Sequence, residues 1–208
     1  VRAAATIRAA TPRDLDQLTA ALARSFRDDP VFTWLLPDAH ARESRARGVF
    51  ATMLRTGALR LGGVELAELD GAIVGGAIWY PPDRWQPGFL DQLRAVPGYV
   101  RAFGRRIGPA SELLQALARA HPHAPHWYLY VVGVDPSHQG RGVAGTLLRS
   151  RLDRCDVAGD PAYLEATSVA TVPLYAHLGF EATGTPALPS GAPVVTAMWR
   201  APAGRAAR

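Results

Sequence analysis

Apolar positions recur along this chain at two spacings, and the switches between them predict its elements. Val64 to Leu69 alternates apolar and polar residues, as a half-buried strand does. Asp70-Gly71 follows as a two-residue hairpin signal, and Ala72 to Tyr80 predicts the returning strand, closed by Pro81-Pro82. Leu15, Leu18, Leu22 and Phe26 repeat instead at helical spacing and predict an amphipathic helix to about Arg27. Thr11 at the N-cap, Pro12 at the first helical position and Asp14 in the first turn mark its start. A short strand over Thr6 to Ala10 precedes it. Asp29-Pro30 ends it, and helical stretches follow from about Val31 to Leu36 and, after Pro37, from about Ala39 to Leu59.

Phe89 to Ala120 reads as two short helices interrupted at Pro97-Gly98 and Gly108-Pro109, and His121 to Pro125 as a Pro-broken loop. Trp127 to Val134 is an almost continuous aromatic and β-branched run, the pattern of a strand buried on both faces. Asp135-Pro136 closes it, and a Gly-rich turn leads into a helix over Val143 to Arg154. Ala162 to Thr167 predicts a strand, and Val172 to Leu178 a short helix stopped by Gly179. Phe180 to Thr183 and Val194 to Trp199 predict the last strands, with a frayed tail from Ala201 to Arg208. The order implies an α/β fold, antiparallel in its first half, with a right-handed strand–helix–strand crossover in its second. No repeat or linker marks a second domain, so one domain is expected over residues 1–200 and a flexible tail over 201–208.

Composition narrows the class. With 208 residues, 48% hydrophobic and 20% charged, the chain can fill a sizeable core. No apolar run reaches the roughly 20 residues that span a bilayer, and Val1 to Ala10 lacks the pattern of a secretory signal. A single cysteine, Cys155, excludes an internal disulfide and suits a cytoplasmic location. All 23 basic residues are Arg, with no Lys and no Asn, which together with abundant Ala, Gly and Pro points to a GC-rich genome. The net charge of +5 is therefore weak grounds for nucleic-acid binding, and suits equally a cosubstrate carrying several phosphates.

The turn Gln139-Gly140-Arg141-Gly142-Val143-Ala144 joins the buried strand to a helix. Its glycines let backbone come close to a ligand, and the N–H groups at the helix start favour an anion, with Arg141 at the rim. A tight connection would look the same, and the spacing fits neither the Walker pattern nor the dinucleotide fingerprint.

The run from Val134 through Gln139-Gly140-Arg141-Gly142-Val143-Ala144 to Leu148 resembles motif A of the GNAT superfamily, Gln/Arg-x-x-Gly-x-Gly/Ala. Tyr175-Ala176-His177-Leu178-Gly179-Phe180 resembles its motif B. Ile7-Arg8-Ala9-Ala10, Ile78-Trp79, Trp127, Val132-Gly133-Val134, Leu164-Glu165 and Pro173-Leu174-Tyr175 are similar to segments of the puromycin N-acetyltransferase group. The resemblance implies a mixed sheet splayed between two parallel middle strands, with helices on both faces, and acetyl-CoA as cosubstrate. Pantetheine would pair with Val132, Gly133 and Val134, and the diphosphate would sit over Gln139, Gly140, Arg141, Gly142, Val143 and Ala144. Thr171 stands where the family often carries an Asn toward pantetheine, and offers shorter reach and fewer donors.

Acetyl transfer to an amine needs a base for the ammonium, an oxyanion donor and a proton for the departing thiolate. Glu165 is the candidate base, a role assigned to a Glu at this position in the resembling group; pairing with an Arg is the alternative. Tyr175 is the candidate acid, its phenol being protonated at neutral pH; a core Tyr bridging helix and sheet is the alternative. The Val134 N–H is the oxyanion donor. Phe26, Trp34, Trp79, Tyr80, Trp127 and Tyr128 are candidates for an aromatic acceptor pocket, and Asp29 for attracting a cationic amine, unless Asp29-Pro30 is only turn chemistry. His121, His123 and His126 lie among prolines without acidic or Cys partners, so no metal is expected. Cys155 reads as core filler, and Ser168 lacks a nucleophile elbow. The expected function is N-acetylation of a small-molecule primary amine, an aminonucleoside-type antibiotic being one such acceptor. Protein or peptide acetylation and non-catalytic acyl-CoA sensing are the alternatives. Neither nucleic acid nor membrane is an expected partner, and the chain is expected as a monomer or homodimer.

Overall fold

The computed structural model describes residues 5–204. Among these residues seven strands form one sheet: β1 (Thr6–Ala9), β2 (Val64–Leu69), β3 (Ala72–Tyr80), β4 (Trp127–Val134), β5 (Ala162–Ala166), β6 (Glu181–Gly184) and β7 (Thr196–Arg200). Their spatial order is β1-β2-β3-β4-β5-β7-β6, and β4 against β5 is the one parallel neighbour pair. The helices are α1 (Leu15–Ser25), α2 (Pro30–Leu35), α3 (Ala39–Thr56), α4 (Phe89–Phe103), α5 (Ile107–Ala120), α6 (Val143–Ala158) and α7 (Val172–His177). The α/β class and the mixed sheet are as expected from sequence, with most element ends within two residues.

The sheet's period of two sorts the core, except at a β-bulge where Tyr130 is an extra residue between the pairs Trp79↔Leu129 and Ile78↔Val131, so that Leu129 and Val131 face opposite sides. Trp79, Leu129 and Leu164 pack with Leu148 and Leu152 of α6 on one face. Leu66, Ile78 and Val131 pack on the other face with Leu18 and Leu22 of α1 and Phe50 of α3. Tyr128 and Tyr163 form a smaller aromatic cluster near Tyr80 and Tyr130.

The helical region before β4 departs from expectation. Neither Pro97-Gly98 nor Gly108-Pro109 interrupts it. Pro97 lies inside α4, and Gly98 beside it is where α4 crosses α3: a Cβ there would come within 2.2 Å of Thr52 Oγ1. Gly108-Pro109 falls in the first turn of α5, where a missing N–H leaves no intrahelical bond unmade. The corner is Gly104, whose φ of 54° is open to glycine.

A second correction concerns the C-terminal segment. Residues 205–208 of the expected tail lie outside the described residues, but Ala203 is held, its N–H donating to Asp156 Oδ1 at 2.7 Å. Asp156 also takes both guanidinium nitrogens of Arg200 at 2.7 Å, which lowers its carboxyl pKa.

The helix that follows the Gly-rich turn is fixed by a buried charge cluster. Glu65 of β2, 3% exposed, pairs with Arg151 at 2.7 Å and with Arg154, both on α6. The Arg151 guanidinium lies 4.3 Å from the centre of the Trp127 ring. Cys155 on the same helix is buried, and burial pushes its thiol up to about 11. Among the described residues no helix is long and apolar enough to cross a membrane. Replacing Glu65 by Ala leaves Arg151 buried without its partner. Thermal or urea unfolding should then show a loss of about 3–5 kcal/mol, whereas Arg154→Ala, at an exposed partner, should cost much less.

Candidate active site

β4 and β5 stay together for only three steps, Trp127↔Ala162, Tyr128↔Tyr163 and Leu129↔Leu164. Among the described residues no strand pairs with the β5 side of β4 beyond Leu129. On the other side the Asp135 N–H donates to the Val74 carbonyl at 2.8 Å, and Val134 stands opposite Gly75. Antiparallel alternation then commits the N–H and C=O of Gly133 to Gly76 and turns those of Val132 and Val134 into the opening. The Val134 carbonyl accepts from the Gln139 side chain at 3.0 Å, so the Val134 N–H is the group left facing it.

The turn that follows is built for an anion. Asp135 begins it by accepting the Ser137 N–H at 3.0 Å and pairing with Arg24 of α1 at 2.5 Å. Gly140 and Gly142 have φ of 70° and 78°, and no atom lies within 4 Å of where a side chain would begin. Both conditions suit a ligand lying against bare backbone. Thr146 is the first residue of α6 to bond back, to the Gly142 carbonyl at 3.0 Å. The N–H groups of Val143, Ala144 and Gly145 therefore have no partner within the helix and share its positive end. Arg141 is exposed beside them. Thr171 is less available, since its hydroxyl donates to the Ser168 carbonyl at 2.8 Å.

On the face covered by α1 and α3 lies a cavity of about 390 Å³. Its wall is mainly apolar, including Phe26, Phe32, Phe50 and Val131, and α4 and α5 close it with Val96, Val100 and Leu114. Asp29, Glu165, Thr167 and the tyrosines Tyr99, Tyr128 and Tyr130 supply its polar groups.

Glu165 is the chemically prepared group. Burial pushes its carboxyl up to about 7, against the opposing hydrogen bond from the Tyr128 hydroxyl at 2.5 Å. Among the described residues no Arg pairs with it. Its Oε1 has no hydrogen-bond partner, and the nearby Tyr163 hydroxyl, which also steadies the charge, lies outside good bonding geometry. His121 Nδ1 is 4.0 Å from the same oxygen.

Asp29 has two tasks. It caps α2 by accepting the Val31 and Phe32 N–H groups at 2.9 and 3.0 Å, and it takes the Thr167 hydroxyl on its other oxygen. Burial raises its carboxyl pKa nonetheless. Tyr175 is buried and is not part of the cavity wall; burial, then the charge of Asp29, pushes its phenol up to about 12.

The aromatic set expected in one acceptor pocket is divided. Phe26 and Tyr128 line the cavity. Trp79 and Trp127 do not, because strand alternation turns them to the α6 face, where Trp79 is fully buried and the Trp127 indole donates to Asp160 at 3.1 Å. Trp34 is also elsewhere, under the guanidinium of Arg106 at 4.9 Å. Tyr80 stands behind the wall, 5.6 Å from Tyr130 between ring centres. Sequence reading missed Tyr130, Tyr163, Thr167 and His121. The first two carry a legible signal: Tyr128 and Tyr130, and Tyr163 and Glu165, are spaced by two on adjacent strands and share a face.

The Gly-rich turn and the open edge of β4 thus lie beside a buried carboxylate, the arrangement of an N-acetyltransferase. The chain belongs to the acetyltransferase (GNAT) family, whose sequence profile matches residues 19–180, and the family uses acetyl-CoA. An uncharacterised N-acetyltransferase of Schizosaccharomyces pombe is 25% identical over 181 residues, covering 81% of this chain and 71% of that protein. Among solved structures, a histone acetyltransferase HPA2-related acetyltransferase of Corynebacterium glutamicum is 30% identical with a TM-score of 0.76, covering 98% of this chain and 99% of that one. The PaiA N-acetyltransferase of Thermoplasma acidophilum, solved with coenzyme A, shares the fold at TM-score 0.60 and 12% identity, covering 96% of this chain and 99% of that one.

The raised Glu165 pKa has a measurable cost. The folded state favours the acid form, so ionisation destabilises it progressively as pH climbs from the ordinary value of 4.5 through about 7. Glu165→Gln should therefore gain stability over the parent as pH rises. Its advantage in denaturant unfolding should be larger at pH 8 than at pH 5 by about 2–3 kcal/mol.

Proposed function

We propose that this chain acetylates the primary amine of a small, largely apolar molecule by direct attack in a ternary complex with acetyl-CoA. The observation that carries this reading is the Glu165 carboxyl, held near pKa 7 in the wall of an apolar cavity beside the open edge of β4. A base tuned to the working pH removes the ammonium proton most effectively.

The residues present fit the cosubstrate. Val132 offers its backbone N–H and C=O to the pantetheine amides and Val134 its N–H to the acyl end, while Gly133, its own polar groups spent on Gly76, lets α1 pack close behind them, a Cβ there coming within 2.6 Å of Ser25 Oγ. Gln139, Gly140, Arg141, Gly142, Val143 and Ala144 receive the diphosphate, and Thr171 meets the pantetheine arm, its hydroxyl oxygen accepting from a pantetheine N–H. Acetyl-CoA supplies the thioester that is cleaved. The Val134 N–H polarises the acetyl carbonyl, Glu165 takes the amine proton, and the Tyr175 phenol, protonated throughout the neutral range, supplies the proton for sulfur. Phe26, Tyr128 and Asp29 meet the acceptor.

The apolar wall favours a small amine over a protein terminus, and an aminonucleoside is one member of the class. The lone buried Cys155 suits a reducing, cytoplasmic setting. Thiol release from acetyl-CoA should be measured over alkylamines, arylalkylamines, puromycin and a peptide. Apolar amines should turn over, with kcat rising as pH passes about 7, and Glu165→Gln should lose about 10²–10⁴-fold. Preference for the peptide, or full activity in Glu165→Gln, would overturn the reading.

A separate measurement tests the cosubstrate seat. Gly142→Val puts a β-branched side chain at a φ of 78° and in front of the turn's amides. Calorimetry should show coenzyme A binding at least about tenfold weaker, with little change in fold by circular dichroism; unchanged affinity would remove the turn from the site.

A further inference from the structure

Turnover on an ammonium substrate leaves a proton to be disposed of. Of three N–H protons, the amide product keeps one, the departing sulfur takes one, and the third is released. If Glu165 accepts it, Glu165 must lose it again before the next cycle. Its side chain is 6% exposed, and the cavity in front of it is mainly apolar and filled by substrate.

Behind Glu165 the structure offers a second space. A cavity of about 300 Å³ is lined by Asp83, Trp85, Gln86, His121, His123 and His126, among others, and several of these are exposed to solvent. Glu165 lines the first cavity and not the second; His121 lines the second and not the first. His121 is 5% exposed, with Nδ1 4.0 Å from the partnerless Glu165 Oε1 and Nε2 also without a partner. That is an uncommon pair of orphans for a buried site, and the gap is one that a single water bridges.

We propose that His121 relays the proton collected by Glu165 to solvent in the second cavity, a role that rests on Glu165 being the base. The Glu165 O–H bond breaks as an H–Nδ1 bond forms on His121, and the Nε2–H bond breaks to give its proton to water or a buffer base. The imidazole enters and leaves the exchange neutral, in the other tautomer, and ring rotation restores the first. Its surroundings favour this neutral form. Glu165 and Tyr163 face it from β5, Tyr128 from β4, His126 from the loop before β4 and Trp85 from the loop after β3, with Asp83 and His123 at the rim. Burial, reinforced by His126 and His123, pushes the His121 pKa down to about 4. Trp85 stacks on one face of the ring, with the ring centres 3.9 Å apart.

The test compares His121→Ala, His121→Gln and Glu165→Gln in the full chain, with kcat, both KM values and the pH profile measured with and without added imidazole. The relay predicts that both His121 variants lose at least about tenfold in kcat with KM values within about twofold. Added imidazole should restore most of the loss in His121→Ala, which opens the space. Wild-type kcat in the His121 variants, with Glu165→Gln inactive, would overturn the relay and leave the base intact. Loss in kcat without imidazole rescue, or with raised KM, would mark His121 as structural and overturn the relay as well. Full activity in Glu165→Gln would remove the base and the relay together. Should His121→Ala not fold, His121→Gln decides by buffer dependence: a kcat that rises with buffer concentration supports the relay, and a flat response overturns it.

Discussion

The structure depends on an early parting of two strands. β4 and β5 begin side by side and separate after three residue pairs. Continued pairing would have consumed the N–H groups of Val132 and Val134. Separation leaves them open, and backbone donors facing a gap in a sheet are tolerable only where water or a ligand can reach them. The position of Glu165 follows from the same event: it lies one residue past the last paired step of β5, where the strand is still held by β7 but has left β4.

Most of the fold was legible because the sequence alternates cleanly. Strands β2, β3 and β4 fall where Val64 to Leu69, Ala72 to Tyr80 and Trp127 to Val134 predict them. Proline and glycine in the α4–α5 region misled because their effect depends on neighbours. Gly98 is a contact with Thr52 that local sequence does not contain, and Pro109 is harmless only because the helix happens to begin at Ile107. The corner at Gly104 carried no companion signal, since nothing beside it marked a turn.

The site was legible in its backbone and less so in its side chains. Gly140 and Gly142 announce positive φ before any contact is known. Trp79 and Trp127 were grouped with Tyr80 and Tyr128 by composition, although adjacent residues in a strand point to opposite faces. His121 had no sequence signal. Its proximity to Glu165 spans 44 positions, and a histidine among prolines says nothing about which carboxylate the fold brings beside it.

The cavity has two kinds of wall. Glu165, Tyr128 and Val131 belong to strands whose register is fixed by backbone pairing within the sheet, so they have little freedom to vary. Val96, Val100 and Leu114 belong to helices that are also partly exposed, and hydrogen bonds of the sheet do not pass through them. Evolution can therefore resculpt the helical wall, and with it which amine is accepted, while leaving the reaction centre untouched.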